Sequence, residues 1–165
     1  MMISDYRLEQ NLPYDLTRPV AEMAAFFDIL PQSDSADVLK IVQEADVCVA
    51  ILQTEDGTRR VSRPFTILQD VRGEWVRCAK LAVLDVLGQT VRRGLVMPWG
   101  ILTGVRPGKL AHKLLDSGLS CDELPQYLER HYLLPHGQAQ LLTEICLRQR
   151  QLLPAAEKQV GILLR

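Results

Sequence analysis

A chain of 165 residues with 47% apolar and 24% charged side chains and a mean hydropathy of +0.01 can bury a core, as one domain or as a small domain with a helical extension. No apolar run approaches the ~20 residues of a membrane-spanning helix, and the polar, acidic start MMISDYRLEQ lacks the basic and apolar segments of a secretory signal, so a cytoplasmic protein is expected. The net charge of −1 is unevenly spread: residues 1–56 hold 3 cations against 11 carboxylates, residues 57–113 hold 11 against 3, and residues 114–165 hold 5 against 6.

Residues 3–9 alternate weakly and read as a strand. Thr17-Arg18-Pro19 opens a helix with Pro in its first turn. The next segment, VAEMAAFFDIL, puts Val20, Met23, Ala24, Phe27 and Leu30 on one face, and residues 31–35 end it in a turn. Residues 46–54 (DVCVAILQT) are rich in β-branched side chains and read as a strand. Glu55-Asp56-Gly57-Thr58 is a hairpin signal, and residues 59–68 form the return strand, which Pro64 assigns to a sheet edge. From Arg72 to Arg93 the period becomes helical, with a stripe of Trp75, Ala79, Ala82, Val83, Val86 and Leu87. Gly88 or Gly94 can supply the stop.

Residues 98–110, PWGILTGVRPGKL, are neither linker nor plain helix. A linker would lack Trp99, Ile101, Leu102 and Val105, and a helix would not tolerate Gly100, Gly104 and Pro107 so close together. A specific loop is expected there, leading into a short helix over 109–115 that Ser117-Gly118 ends. Ser120 to Glu123 form a capping box opening another helix, whose interior Pro125 is expected to strain. Pro135 starts a last long helix with a stripe of Leu141, Leu142, Ile145, Gln149, Leu152 and Leu153, ended by Pro154. The tail KQVGILLR turns β-like. The fold class is therefore α+β: a small β-α-β-β-α unit over residues 1–93, then a helical unit of three to four short helices over 94–154. Residues 155–165 read as the start of a further, missing catalytic domain.

Little in the chain matches a chemical motif. Cys48, Cys78, Cys121 and Cys146 have neither CxxC nor CxxxCxxC spacing, so they read as free core thiols rather than zinc or iron–sulfur ligands. His112, His131 and His136 do not form a metal set, and no catalytic trio stands out. GVRPGK lacks the Walker spacing. The basic middle third suits an anionic ligand, an RNA or the acidic first third. Arg106 and Lys109 fall near a helix start, where free N–H groups and the helix dipole favour anions. They are the binding candidates, together with Trp99.

The loop PWGILTGVRPGKL, the helical KLAVLDVL before it and LLTEICLRQRQLL after it together resemble the region preceding the catalytic domain in oxygen-independent coproporphyrinogen III oxidase-like proteins, in the coproporphyrinogen dehydrogenase branch. The resemblance covers residues 75–153. Before residue 70 only PYDL and Phe26-Phe27 fit, and Gly108 stands where the pattern more often carries Thr or Val. It implies a radical S-adenosylmethionine (radical SAM) oxidoreductase of porphyrin and haem synthesis, in which a CxxxCxxC-bound [4Fe-4S] cluster cleaves S-adenosylmethionine and the resulting radical drives oxidative decarboxylation of propionates. The cluster and S-adenosylmethionine are expected only in the full-length relative, so this chain reads as a non-catalytic N-terminal accessory region. The implied partners are the missing C-terminal radical SAM domain and an anionic tetrapyrrole whose propionates would meet Arg106 and Lys109, with Trp99 against the macrocycle; the competing readings are that the loop docks onto the missing domain, or that Trp99 packs the junction between the two units and Arg106 pairs with a local carboxylate. The alternative is a protein-interaction or nucleic-acid-binding module with a helix-turn-helix-like C-terminal half. An overall pI near 6.3 and a last helix with few early cations weigh against nucleic acid.

Overall fold

The computed structural model describes residues 3–66, 71–90, 95 and 97–160. The described residues are α+β, with a five-stranded mixed sheet and five α-helices, and the chain divides into two compact units, Met1–Met97 and Pro98–Arg165.

In the first unit the strands are β1 (Asp5–Gln10), β2 (Leu30–Pro31), β3 (Val38–Glu44), β4 (Val47–Thr54) and β5 (Gly57–Pro64), in the spatial order β2-β1-β3-β4-β5. β1 runs parallel to both β2 and β3, whereas β3, β4 and β5 form an antiparallel meander. Glu55-Asp56 makes the β4–β5 hairpin, with Gly57 opening β5 opposite Thr54, and β5, ending at Pro64, lies at the sheet edge as its proline requires. Two strands exceed the sequence expectation of β-α-β-β-α. β3 escapes it, because the Ala45-Asp46 connection that turns it back into β4 carries neither Gly nor Pro to mark a hairpin. β2 is only two residues long and falls where the sequence signals a turn.

Helix α1 (Thr17–Ala24) passes into a 3₁₀ turn over Ala25–Phe27 and stops at Asp28, whose φ of 60° leaves the helical region. Val20, Met23, Ala24 and Phe27 are buried as the periodicity predicts. Leu30 is not on that face: beyond the Asp28 break it enters β2 and is exposed. α2 (Val71–Gly88) packs against α1, β4 and β5. Its expected stripe is buried throughout, but so are Glu74, Arg77, Cys78, Lys80, Leu81 and Leu84, so burial extends well beyond one face. A helix surrounded in this way shows little amphipathic period.

The buried charges are paired, as the energetics demand. Arg77 makes a fork to Glu74, through Nε to Oε2 at 3.0 Å and Nη2 to Oε1 at 2.6 Å, and the Thr66 N–H donates to Oε1 at 2.6 Å. Lys80, 2% exposed, reaches Glu22 of α1 at 2.8 Å. Arg60 of β5 pairs with Glu44 of β3. Part of the basic middle third is thus neutralised by the acidic first third.

The second unit holds α3 (Pro107–Asp116), α4 (Leu124–Tyr132) and α5 (His136–Val160). Pro107 is the first residue of α3, where its fixed φ helps and its missing N–H costs nothing. Pro125 likewise sits in the first turn of α4 and not in a helix interior, which removes the strain expected of it. The capping box makes its reciprocal bonds. The Ser120 N–H and hydroxyl donate to Glu123 Oε2 at 3.1 and 2.6 Å, and the Glu123 N–H donates to Ser120 Oγ at 3.3 Å.

Two expectations for α5 are corrected. The helix continues past Pro154 to Val160 rather than ending there, because a proline removes one ladder hydrogen bond without unwinding the turns beyond it. Residues 158–160, read as strand, are therefore helical, and residues 161–165 lie outside the described residues. The buried face also differs: Ala139, Leu142, Thr143 and Cys146 point inward, while Leu141, Ile145, Gln149 and Leu152 are exposed.

Candidate functional site

The loop ahead of α3 is built from its glycines. Gly100 (φ 53°) and Gly104 (φ 74°) each bend the chain within a tight turn, closed by Leu102 N–H to Trp99 carbonyl at 3.0 Å and Val105 N–H to Leu102 carbonyl at 3.1 Å. The Ile101 N–H donates to the Tyr132 carbonyl at 2.9 Å, fastening the loop to the end of α4. Ile101 and Leu102 are buried beneath it. A cleft of about 530 Å³ opens on the outer side, lined by Trp99, Leu102 and Val105 of the loop, Pro107 and Gly108 of α3, and Leu142, Ile145 and Gln149 of α5.

Trp99, Arg106 and Lys109 are thus brought into one neighbourhood, but not as one cluster. Trp99 lines the cleft. Arg106 is the extended N-cap of α3 (φ −85°, ψ 99°), and Lys109 lies in its first turn. Both cations are exposed, and neither side chain has an ion-pair partner among the described residues. No side chain caps the first turn of α3, so its N–H groups add to the positive character at that end.

Sequence reasoning missed the clamp beside the cleft. Arg150 of α5 donates to the His112 carbonyl of α3 at 2.9 Å, approaches its Nδ1 at 3.3 Å and pairs with Asp116, while His112 Nε2 meets Gln149 Oε1 at 2.9 Å. Only the pairing of α3 with α5 brings these residues together. The i,i+4 spacing of His112 and Asp116 was the available hint. The other histidines are scattered: His131 stacks on Tyr127 with centroids 4.4 Å apart, and His136 bonds Glu129 at 2.7 Å.

The four cysteines are free thiols. Cys48 and Cys78 lie in the first unit, Cys121 and Cys146 in the second. Burial pushes Cys48 up to about 12, and Cys78 up to about 12 as well, with its Sγ turned to the Pro64 carbonyl and Glu74 Oε1, both at 3.4 Å. Burial also raises Cys146. Cluster ligands must be thiolates, and burial disfavours the thiolate at these three positions. Cys121, expected in the core, is instead exposed, since it falls in the turn between α3 and α4. Among the described residues no three His, Cys, Asp or Glu side chains form a metal-binding group, and no helix is long and apolar enough to cross a membrane.

No family model matches the chain, and no solved structure matches it. Among curated proteins it is 43% identical over 61 residues to the oxygen-independent coproporphyrinogen-III oxidase-like protein HemZ of Bacillus subtilis (strain 168). That stretch is 37% of this chain and 12% of HemZ. Over that part of its length, this chain is similar to an oxygen-independent coproporphyrinogen III oxidase-like protein, as the loop and its flanking helices indicated.

Proposed function

We propose that this chain is the N-terminal accessory region of an oxygen-independent coproporphyrinogen III oxidase-like radical SAM enzyme of porphyrin and haem synthesis, acting in the cytoplasm. The 43% identity to HemZ over 61 residues carries the reading. In it, a separate cluster-bearing region supplies the [4Fe-4S] and S-adenosylmethionine chemistry. Burial of Cys48, Cys78 and Cys146, which disfavours their thiolates, supports that division of labour. The present chain is non-catalytic and contributes a contact surface, with Trp99, Arg106 and Lys109 as its anion-facing corner. Its partners are the radical SAM domain and an anionic tetrapyrrole.

The test is the reading frame after the codon for Arg165. An in-frame CxxxCxxC within a few tens of codons is the expected result. Arg106→Ala in that longer protein should then weaken assembly or substrate use. An uninterrupted downstream sequence without such cysteines defeats the reading. It would leave the protein-interaction alternative, which the exposed apolar side chains of the helical unit favour.

A further inference from the structure

The helical unit exposes more apolar surface than its core requires. Trp99 is 38% exposed, Val105 43%, Leu141 49%, Ile145 40% and Leu152 72%. At 100° per residue, Leu141, Ile145 and Leu152 fall within about 40° of one another on α5, a stripe roughly 16 Å long. Ile145 belongs to both the stripe and the wall of the cleft, so the two surfaces are continuous. Contiguous exposed apolar surface of this kind marks an interaction site.

Shape and charge define the occupant. A small ligand would fill the cleft and leave the stripe beyond it wet, whereas a helix laid along α5 covers both. Among the described residues the unpaired charges beside the cleft are the cations Arg106 and Lys109, while Asp116 of α3 and Glu144 of α5 are already engaged by Arg150 and Arg148. We infer that this face docks an acidic amphipathic helix, its apolar side against Trp99, Val105, Ile145 and Leu152 and its carboxylates at Arg106 and Lys109. The inference deepens the accessory-region reading and rests on it only for where the helix comes from: a partner segment of the radical SAM domain.

The probes are two synthetic helical peptides of about 18 residues, with Leu at i, i+4, i+7 and i+11 and either Glu or Lys on the flanks. Each is titrated onto the full chain while Trp99 emission is followed. Trp75, buried in the other unit, serves as an internal constant. The Glu peptide is expected to shift the emission saturably and the Lys peptide is not. Reversing both cations (Arg106→Glu with Lys109→Glu) should weaken the Glu peptide about tenfold or more and admit the Lys peptide. Leu152→Glu, at the most exposed of these positions, should weaken the Glu peptide without altering the fold, which circular dichroism checks. Equal binding of the two peptides, or binding by neither, overturns the inference. Saturable binding of coproporphyrin at Trp99 with no peptide binding overturns it in favour of a small-anion site. None of these outcomes depends on the gene downstream of codon 165, so failure of the docking inference is distinguishable from failure of the enzyme reading.

Discussion

Gly100 is the residue on which the loop depends. Its φ of 53° disfavours any side chain, and a Cβ there would lie 2.1 Å from the Tyr132 carbonyl oxygen and 2.6 Å from Leu133 backbone atoms. Those atoms are backbone held by the end of α4, so they cannot step aside. Gly100→Ala should cost about 3 kcal/mol or more in the Pro98–Arg165 unit, the sum of left-handed strain and a lost loop anchor. Gly108 is the control. It lies in the first turn of α3, and a Cβ there meets nothing within 4 Å. Gly108→Ala should be neutral or stabilise by up to about 0.5 kcal/mol through the unfolded chain. Denaturant unfolding followed through Trp99 compares the two. Similar midpoints for both variants would remove the special role of Gly100. The glycine spacing announces a specific loop, but its partner is not legible in sequence. Tyr132 lies at the far end of another helix, and nothing local to PWGILTG points to it.

At the scale of elements, local signals are legible and tertiary ones are not. The Ser120–Glu123 box is recognisable from four residues because its hydrogen bonds are local, and its geometry also draws the Glu123 carboxyl below its usual range through the Ser120 hydroxyl and N–H. Ser120→Ala removes the hydroxyl half of the pair and should cost about 1 kcal/mol, read as a lower denaturant midpoint with an unchanged slope. A midpoint equal to wild type would mean the box is solvated rather than structural. By contrast, β3 is invisible because Val38–Glu44 gains its identity from pairing with β1 and β4, and the Ala45-Asp46 turn that closes it carries neither Gly nor Pro. The face of α5 also misleads. Leu141, Ile145 and Leu152 have the spacing of a core stripe, and periodicity alone cannot say whether a stripe meets its own core or solvent. α2 shows the opposite failure, since Glu74, Arg77 and Lys80, which lie outside its expected stripe, are buried as well.

At the scale of the whole molecule, the carboxylates that the fold holds below their ordinary values are unequally shared. Among the described residues, Asp5, Glu9, Asp15 and Glu74 lie in the first unit and Glu123 in the second. Four of these are solvent-exposed and contribute little. Glu74 is the exception. Burial alone would raise it, but the Arg77 fork and the Thr66 N–H outweigh burial and leave it below its ordinary 4.5. A depressed carboxylate stabilises the fold above its unfolded value and loses that contribution as pH falls through its folded value. Asp37, raised by burial and by the charge of Asp5, acts in the opposite sense and favours the fold at low pH. It is one partly exposed group against a buried ion pair, so the net effect in the first unit is acid sensitivity. Between about pH 6 and about pH 3, hydrogen-exchange protection of β4 amides should therefore fall more steeply than that of α5 amides, with most of the difference developing below about pH 4.5. Glu74→Gln should flatten the β4 profile while lowering its neutral-pH plateau, because Arg77 is then buried without its counter-charge. If β4 and α5 lose protection in parallel, or if the Gln variant follows the wild-type slope, acid sensitivity does not reside in the Glu74–Arg77 pair.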